Sequence, residues 1–175
     1  LHVRNPDFEP IAELFYGGDD ENLVPIKALI DTGARAERIL TACTLMSRWY
    51  FDLAIQKAPE AFRHIGTSPE QSYITLIDGT ARVRASAQYY EFGPKAIGTD
   101  GKIVTDNINV AVVDKCIDAY QLVLGVDQFR RIRPEFPGIN DPGNWIKFRD
   151  GPWKGMTVSS QTDHITNSRN LSDMA

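Results

Sequence analysis

The chain has 175 residues, of which 42% are apolar and 24% charged, a composition typical of one globular domain with a genuine core. The formal net charge of −4 argues against a general nucleic-acid binder. No apolar run approaches the ~18 residues that a membrane-spanning helix needs. The first residues lack a starting Met and the apolar core of a signal peptide, so a processed piece of a longer protein is expected. We expect neither nucleic acid nor a membrane as a partner.

The cysteine and histidine residues predict no metal site. Cys43 and Cys116 are expected as free, buried thiols, because a chain of this length needs no disulfide to stabilise it. His2, His64 and His164 are far apart and lack the spacing of metal ligands. We therefore expect no metal and no cofactor, and an intracellular location is favoured.

The first half of the chain predicts a β-hairpin followed by a helix. Residues 7–16 and 23–30 are apolar enough for two strands, and 17–20 form a strong turn signal. Apolar residues then recur at helical spacing after a candidate N-cap, Thr41, and Pro59 ends the helix. The apolar stripe expected in the core comprises Ala42, Leu45, Met46, Trp49, Tyr50 and Leu53.

The second half of the chain predicts mostly strands. After a connector over 60–70, the expected elements are strands at 73–77, 81–92, 103–113 and 122–124, a short helix at 127–133 and a late hairpin. The predicted division is one domain over 1–158, with its core at about 8–134 and its C-terminal hairpin at 144–158. Residues 159–175 are polar and are expected to form a mobile or extended tail.

One segment has the layout of a catalytic site. Residues 28–34 read Ala-Leu-Ile-Asp-Thr-Gly-Ala, so an apolar strand delivers the carboxylate of Asp31. The hydroxyl of Thr32 can hydrogen-bond beside it, and Gly33 lets the backbone turn close to whatever the carboxylate faces. A second apolar strand, followed by Gly125 and Val126-Asp127, completes an ordered pair of motifs.

Hydrolysis of a peptide bond by carboxyl groups needs two of them sharing one proton, because like charges about 3 Å apart cannot both ionise. The chain holds one Asp-Thr-Gly, and Asp78, Asp100, Asp141 and Asp150 stand in sequences typical of turns. A second copy of the chain is therefore expected to supply a second Asp31 across a two-fold axis.

The two motifs resemble those of retropepsin-like aspartic proteases, the family of retroviral and retrotransposon proteases. The pattern is closest to gypsy-like retrotransposon proteases, which often carry a helix after the motif and end in a strand such as 145–148. The resemblance covers roughly 8–158. It implies a mostly β, single-lobe acid-protease barrel with one or two helices and an added C-terminal hairpin. It also implies a homodimeric endopeptidase that cuts extended peptides or a polyprotein, without metal or covalent intermediate.

The resemblance makes Asp31 the catalytic carboxylate. The residues implied to support it, by holding the motif loops rigid, binding the substrate backbone or packing behind Asp31, are Thr32, Gly33, Ala34, Leu124 and Gly125. A flap that covers the substrate and excludes water is implied as a hairpin within 81–92. Its expected residues are Arg82, Val83, Arg84, Ala85, Ser86 and Ala87.

Several alternatives stay open. Asp127 is expected either to cap the start of the short helix or to form an ion pair with Arg35, with their side chains within ~4 Å of each other. Arg130, Arg131 and Arg133 are expected on a solvated helix face.

An inactive retropepsin-like domain, serving as a structural or binding component of a larger assembly, is the alternative function, favoured by the lack of flap glycines. A third alternative is a ubiquitin-pathway shuttle protease of the same fold, although the chain holds no ubiquitin-like segment. The separation of two Asp31 carboxyls distinguishes an enzyme from an inactive component.

Overall fold

The structure is a computed structural model. It describes residues 10–31, 35–36, 44–67, 73–75, 82–113, 121–141 and 143–160. For 35–36, 67, 73–75 and 82–87 it describes the backbone only. The predictions for Cys43 and Cys116, and for the tail beyond Ser160, lie outside the described residues.

Fourteen strands and two α-helices are present among the described residues. The strands are β1 Ile11–Tyr16, β2 Val24–Ile30, β3 Arg35–Ala36, β4 Leu45–Ser47, β5 Phe62–Thr67, β6 Tyr73–Thr75, β7 Arg82–Phe92, β8 Lys95–Ile97, β9 Ile103–Thr105, β10 Ile108–Val113, β11 Leu122–Leu124, β12 Pro134–Glu135, β13 Trp145–Phe148 and β14 Thr157–Ser159. The helices are α1 Arg48–Lys57 and α2 Val126–Ile132, and a 3₁₀ turn spans Pro59–Ala61. Neither helix is long and apolar enough to cross a membrane.

Strands β1 to β11 form one sheet in the order β3-β6-β7-β10-β4-β11-β2-β1-β8-β9, with β5 paired on β7. A sheet of this many strands curls rather than staying flat, and its inner side chains share one core with α1. Strands β12 to β14 form a second, small sheet. The predicted class, mostly β with two helices and an added C-terminal hairpin, is confirmed.

The centre of the large sheet consists of β10, β4, β11 and β2. Strand β11 runs parallel to β2 and antiparallel to β4, while β4 runs parallel to β10. Every residue of β4 and β11 is buried. Strands covered on both faces read as continuous apolar runs, as β11 does, whereas β4 ends in the buried polar residue Ser47. Because β2 and β11 are parallel, their carboxyl ends lie at the same edge.

The helix α1 covers the aromatic part of the core. Its buried residues are Tyr50, Phe51 and Ala54. The ring of Phe51 lies 5.3 Å from the ring of Phe62, on the strand that follows the helix. The hydroxyls of Tyr16 and Tyr50 are 2.7 Å apart and form a buried hydrogen bond. This bond joins the first strand to the helix inside an otherwise apolar environment.

Trp153 anchors the C-terminal hairpin on the large sheet. Its indole Nε1 donates to the carbonyl oxygen of Val104 at 2.9 Å, and its ring lies 5.1 Å from the ring of Phe148. The side chain is buried, as an anchoring role requires. A bridge between Ala12 and Ser160 adds a second attachment, so the hairpin packs against β1 as well.

The predicted helix begins too early, although it ends before Pro59 as expected. Leu45 and Met46 lie in β4, because this short segment pairs with β10 on one side and β11 on the other. A buried apolar run cannot be assigned to helix or strand by periodicity alone. The expected core stripe is confirmed for Leu45, Met46 and Tyr50, which are buried, and is wrong for Trp49 and Leu53, which are 45% and 62% exposed.

Three further predictions differ from the structure. The expected connector over 60–70 contains β5, which pairs with β7. The single strand expected over 103–113 is two strands, β9 and β10, because β9 pairs with β8 whereas β10 pairs with β7 and β4, and Asp106 and Asn107 lie between them. Strand β8 was not predicted, because three residues are too few to show a period.

Replacing either Tyr16 or Tyr50 with Phe leaves the other hydroxyl buried without its partner. Each single variant is expected to lose about 1–3 kcal/mol of unfolding free energy. The double variant removes both polar groups and is expected to stay within about 1 kcal/mol of the unsubstituted chain. Urea unfolding followed by circular dichroism measures these values. If the loss of unfolding free energy in the double variant equals the sum of the two single losses, the two hydroxyls do not share a hydrogen bond.

The same pair predicts alkaline sensitivity. Burial raises the pKa of Tyr16, and burial together with the Tyr16 hydroxyl raises the pKa of Tyr50. The folded state therefore holds these protons more tightly than the unfolded state, whose tyrosines titrate near pH 10. Stability from the pair is complete below about pH 10 and falls above it, by about 1.4 kcal/mol per pH unit and tyrosine. Unfolding free energies measured from pH 9 to 11.5 should fall more steeply than those of the double Phe variant.

Candidate active site

The sheet delivers Asp31 to its position. Asp31 follows the last residue of β2, and its backbone N–H donates to the carbonyl oxygen of Leu124 at 2.9 Å. This bond continues the parallel ladder in which Leu124 pairs with Ile30. The residue has 0% exposure, and its Oδ2 atom is buried. The carboxyl group therefore emerges directly from a β layer, at the edge where β11 also ends.

Thr44 connects the second motif to the strand beside it. The Thr44 hydroxyl accepts a hydrogen bond from Gly125 N–H at 3.2 Å and donates to Asp127 Oδ1 at 2.8 Å. Its carbonyl oxygen accepts from Ala111 N–H at 2.9 Å, and the side chain has 0% exposure. Sequence reasoning missed this residue, because a threonine in front of a short apolar run carries no signal of its own.

Asp127 lies in the first turn of α2, whose N-cap is Gly125. Besides the Thr44 hydroxyl, its Oδ1 accepts a hydrogen bond from Gln128 N–H at 2.9 Å. A carboxylate is favourable here, because the first turn of a helix carries unsatisfied N–H groups and partial positive charge. The side chain of Arg35 lies outside the described residues, so its pairing with Asp127 stays a prediction.

An ion pair with a buried carboxylate anchors the last turn of α2. Arg131 forms two hydrogen bonds to the carboxylate of Asp106, which is 3% exposed, and its Nε also donates to Gln128 Oε1 at 3.0 Å. The planar guanidinium suits such two-point binding. Arg131 therefore joins α2 to the turn between β9 and β10, which corrects the expectation that it belongs to a solvated face.

The expected flap hairpin within 81–92 is wrong, because residues 82–92 form one continuous strand, β7. The hairpin is instead β6–β7, with Ile74 opposite Val83. Strand β6 also pairs with β3, which follows the first motif. The side chains of Arg82, Val83, Arg84, Ala85, Ser86 and Ala87 lie outside the described ones.

Of the expected site residues, the structure brings Asp31, Leu124 and Gly125 together. Thr32, Gly33 and Ala34 lie outside the described residues. Within the described part of the chain, no group of three or more His, Cys, Asp or Glu residues has the arrangement of a metal site. The chemistry available at this edge is therefore that of a buried carboxyl group, on a residue whose backbone N–H is hydrogen-bonded to Leu124.

Comparisons with known proteins find similarity among solved structures. No protein-family model matches the chain, and no curated protein matches it. Among solved structures, the crystal structure of the retroviral protease-like domain of Ddi1 from Leishmania major is similar, with a TM-score of 0.44 and 12% identity. The match covers 85% of this chain and 94% of that chain.

The Thr44→Val variant tests the connection between the two motifs. It keeps the shape of the side chain but leaves Gly125 N–H without this acceptor and Asp127 without this donor. We expect a loss of about 1–3 kcal/mol in unfolding free energy, measured with urea. The matched control is Thr105→Val on β9, where the side chain is exposed and the change should stay within about 0.5 kcal/mol. Equal losses in the two variants would show that the Thr44 hydroxyl has no special role.

Proposed function

We propose that this chain is a retropepsin-like aspartic protease lobe and that Asp31 is its catalytic carboxyl group. The supporting observation is the place of Asp31, buried at the end of β2 and bonded through its N–H to Leu124. The two sequence motifs thus meet at one edge of the sheet. Rigid strands position a reacting group more accurately than a free loop does.

The proposed reaction is hydrolysis by an activated water. One carboxylate of a pair takes a proton from the water, and the resulting hydroxide attacks the scissile carbonyl carbon. The protonated partner donates a hydrogen bond to the carbonyl oxygen and stabilises the charge that develops there. Transfer of a proton to the departing amine then breaks the C–N bond and restores one shared proton on the pair.

A homodimer is proposed because the reaction needs a second carboxyl group. Asp127 is the nearest carboxylate along the second motif, but its Oδ1 already accepts hydrogen bonds from Thr44 and Gln128. That arrangement suits support of α2 rather than proton exchange with water. A two-fold axis beside Asp31 would place the same residue of a second copy opposite it.

The β6–β7 hairpin is the proposed flap, and Arg82 to Ala87 belong to its second strand. Strand β6 pairs with β3 directly after the first motif, so the hairpin borders the site. Because Asp31 has 0% exposure in the single chain, a substrate reaches it only when covering chain segments move apart. Such opening and closing excludes water during the reaction.

The proposed substrates are extended peptides. Strand β3 is the last strand at its end of the described sheet, and an unpaired strand edge binds an extended chain through main-chain hydrogen bonds. Apolar side chains on both sides of the cut are expected to fill the cleft. Processing of a polyprotein, as in a gypsy-like retrotransposon, is the proposed biological setting.

The Asp31→Asn variant tests the proposal. Asparagine keeps the size of the side chain but cannot share a proton, so cleavage of unfolded protein substrates should fall at least ~100-fold. Circular dichroism should show an unchanged fold. The matched control, Asp52→Asn, removes an exposed carboxylate of α1 and should keep full activity. The unsubstituted chain should work best at acid pH and be inhibited by a statine-type transition-state mimic.

Two outcomes would contradict the proposal. Unchanged cleavage by the Asp31→Asn variant would remove Asp31 from the reaction. A chain that remains monomeric in sedimentation experiments at acid and neutral pH, and cleaves nothing at either, would instead favour an inactive component of a larger assembly. The proposed protease activity is supported if the chain forms a dimer and if the Asp31→Asn variant loses cleavage while the Asp52→Asn control keeps it.

A further inference from the structure

A groove of about 700 Å³ lies between the end of α2 and the turn that joins β13 to β14. Four cations line it, and they come from two separate elements. Arg130 and Arg133 belong to the end of α2, while Arg149 and Lys154 belong to the hairpin turn. Their convergence is a product of the tertiary structure, because the two pairs stand well apart in the chain.

Backbone hydrogen bonds fix the two sides of the groove relative to each other. The N–H of Arg149 donates to the carbonyl oxygens of Ile132 and Arg133, at 3.2 and 3.1 Å, and Asp150 N–H donates to Ile132 at 3.2 Å. These bonds satisfy the last carbonyl groups of α2, which otherwise need partners. The neighbouring cations are therefore not required as helix caps, and their positions are set by a rigid junction.

The groove carries an excess of positive charge. Arg130, Arg133 and Lys154 are exposed and form no ion pair with the described residues. Among the described residues, Asp150 is the one acidic side chain that lines the groove, and Oε2 of Glu135 lies 3.8 Å from Arg149 Nε. A helix dipole favours cations in the last turn of α2, but it does not account for the two that the hairpin contributes.

We propose that this basic groove binds an acidic peptide segment of a partner protein. Guanidinium groups bind carboxylates through two parallel hydrogen bonds. Phe129 and Pro134 are partly buried in its lining and offer an apolar surface for a side chain between the carboxylates. The rest of the surface belongs to a chain with net charge −4, so a long polyanion such as nucleic acid is repelled outside the groove.

The groove is separate from the edge that carries Asp31. Helix α2 has seven residues and lies between them, which at 1.5 Å per residue corresponds to about 10 Å. Binding in the groove therefore requires neither dimer formation nor proteolysis.

Binding of a fluorescein-labelled peptide of alternating Glu and Leu to the full chain, followed by fluorescence anisotropy, tests the proposal. The Arg130→Gln/Lys154→Gln variant should bind this peptide about three- to tenfold more weakly. The matched control, Lys57→Gln/Lys102→Gln, removes the same charge from exposed positions outside the groove and should bind as the unsubstituted chain does. Raising the salt concentration should weaken binding, and a peptide with Gln in place of Glu should not bind.

Three results would overturn the proposal. No binding of the Glu-Leu peptide at low salt would exclude the groove as an acidic-peptide site. Equal weakening in both double variants would indicate a general charge effect instead of a local site. Tighter binding of a single-stranded oligonucleotide, lost in the groove variant, would assign the groove to nucleic acid.

Discussion

The parallel pairing of β11 with β2 is the constraint on which the candidate site depends. It joins residues 28–30 to residues 122–124, two segments that are far apart in the sequence. The ladder ends with the N–H of Asp31 bonded to the carbonyl oxygen of Leu124. Closing so long a connection costs conformational entropy. Burial of both faces of β11, together with its antiparallel pairing on β4, offsets that cost. A carboxyl group that water would otherwise solvate is thereby held inside the protein.

Buried polar contacts give this apolar centre a defined geometry. Thr44 joins Gly125 to Asp127, and Arg131 joins α2 to Asp106. Each of these groups is costly to bury alone and stabilising when paired. Thr44 fixes the start of α2 relative to β4, and Arg131 fixes its last turn relative to the segment before β10. The contacts of the second motif therefore hold α2 and the backbone of Asp31 in place.

The helix α2 relates two surfaces of different chemistry. Its first residue follows Gly125, beside the buried carboxyl group, and its last residues border the basic groove. The helix is held at its start by Thr44 and in its last turn by Asp106 and by backbone N–H groups of the hairpin. A short helix fixed at three places behaves as a rigid spacer. The C-terminal hairpin, anchored by Trp153, forms the other side of the groove.

The sequence by itself determined the local elements with strong signals: the apolar strand before Asp31, the strand before Gly125, the end of α1 at Pro59 and the terminal hairpin. Period, turn residues and proline act over a few residues, so they can be read from the chain directly. The tertiary structure alone decided that Leu45 and Met46 form a strand, since pairing on both sides overrides a helical period. It also decided the roles of Thr44 and of the basic groove, because both depend on contacts between segments that are distant in sequence.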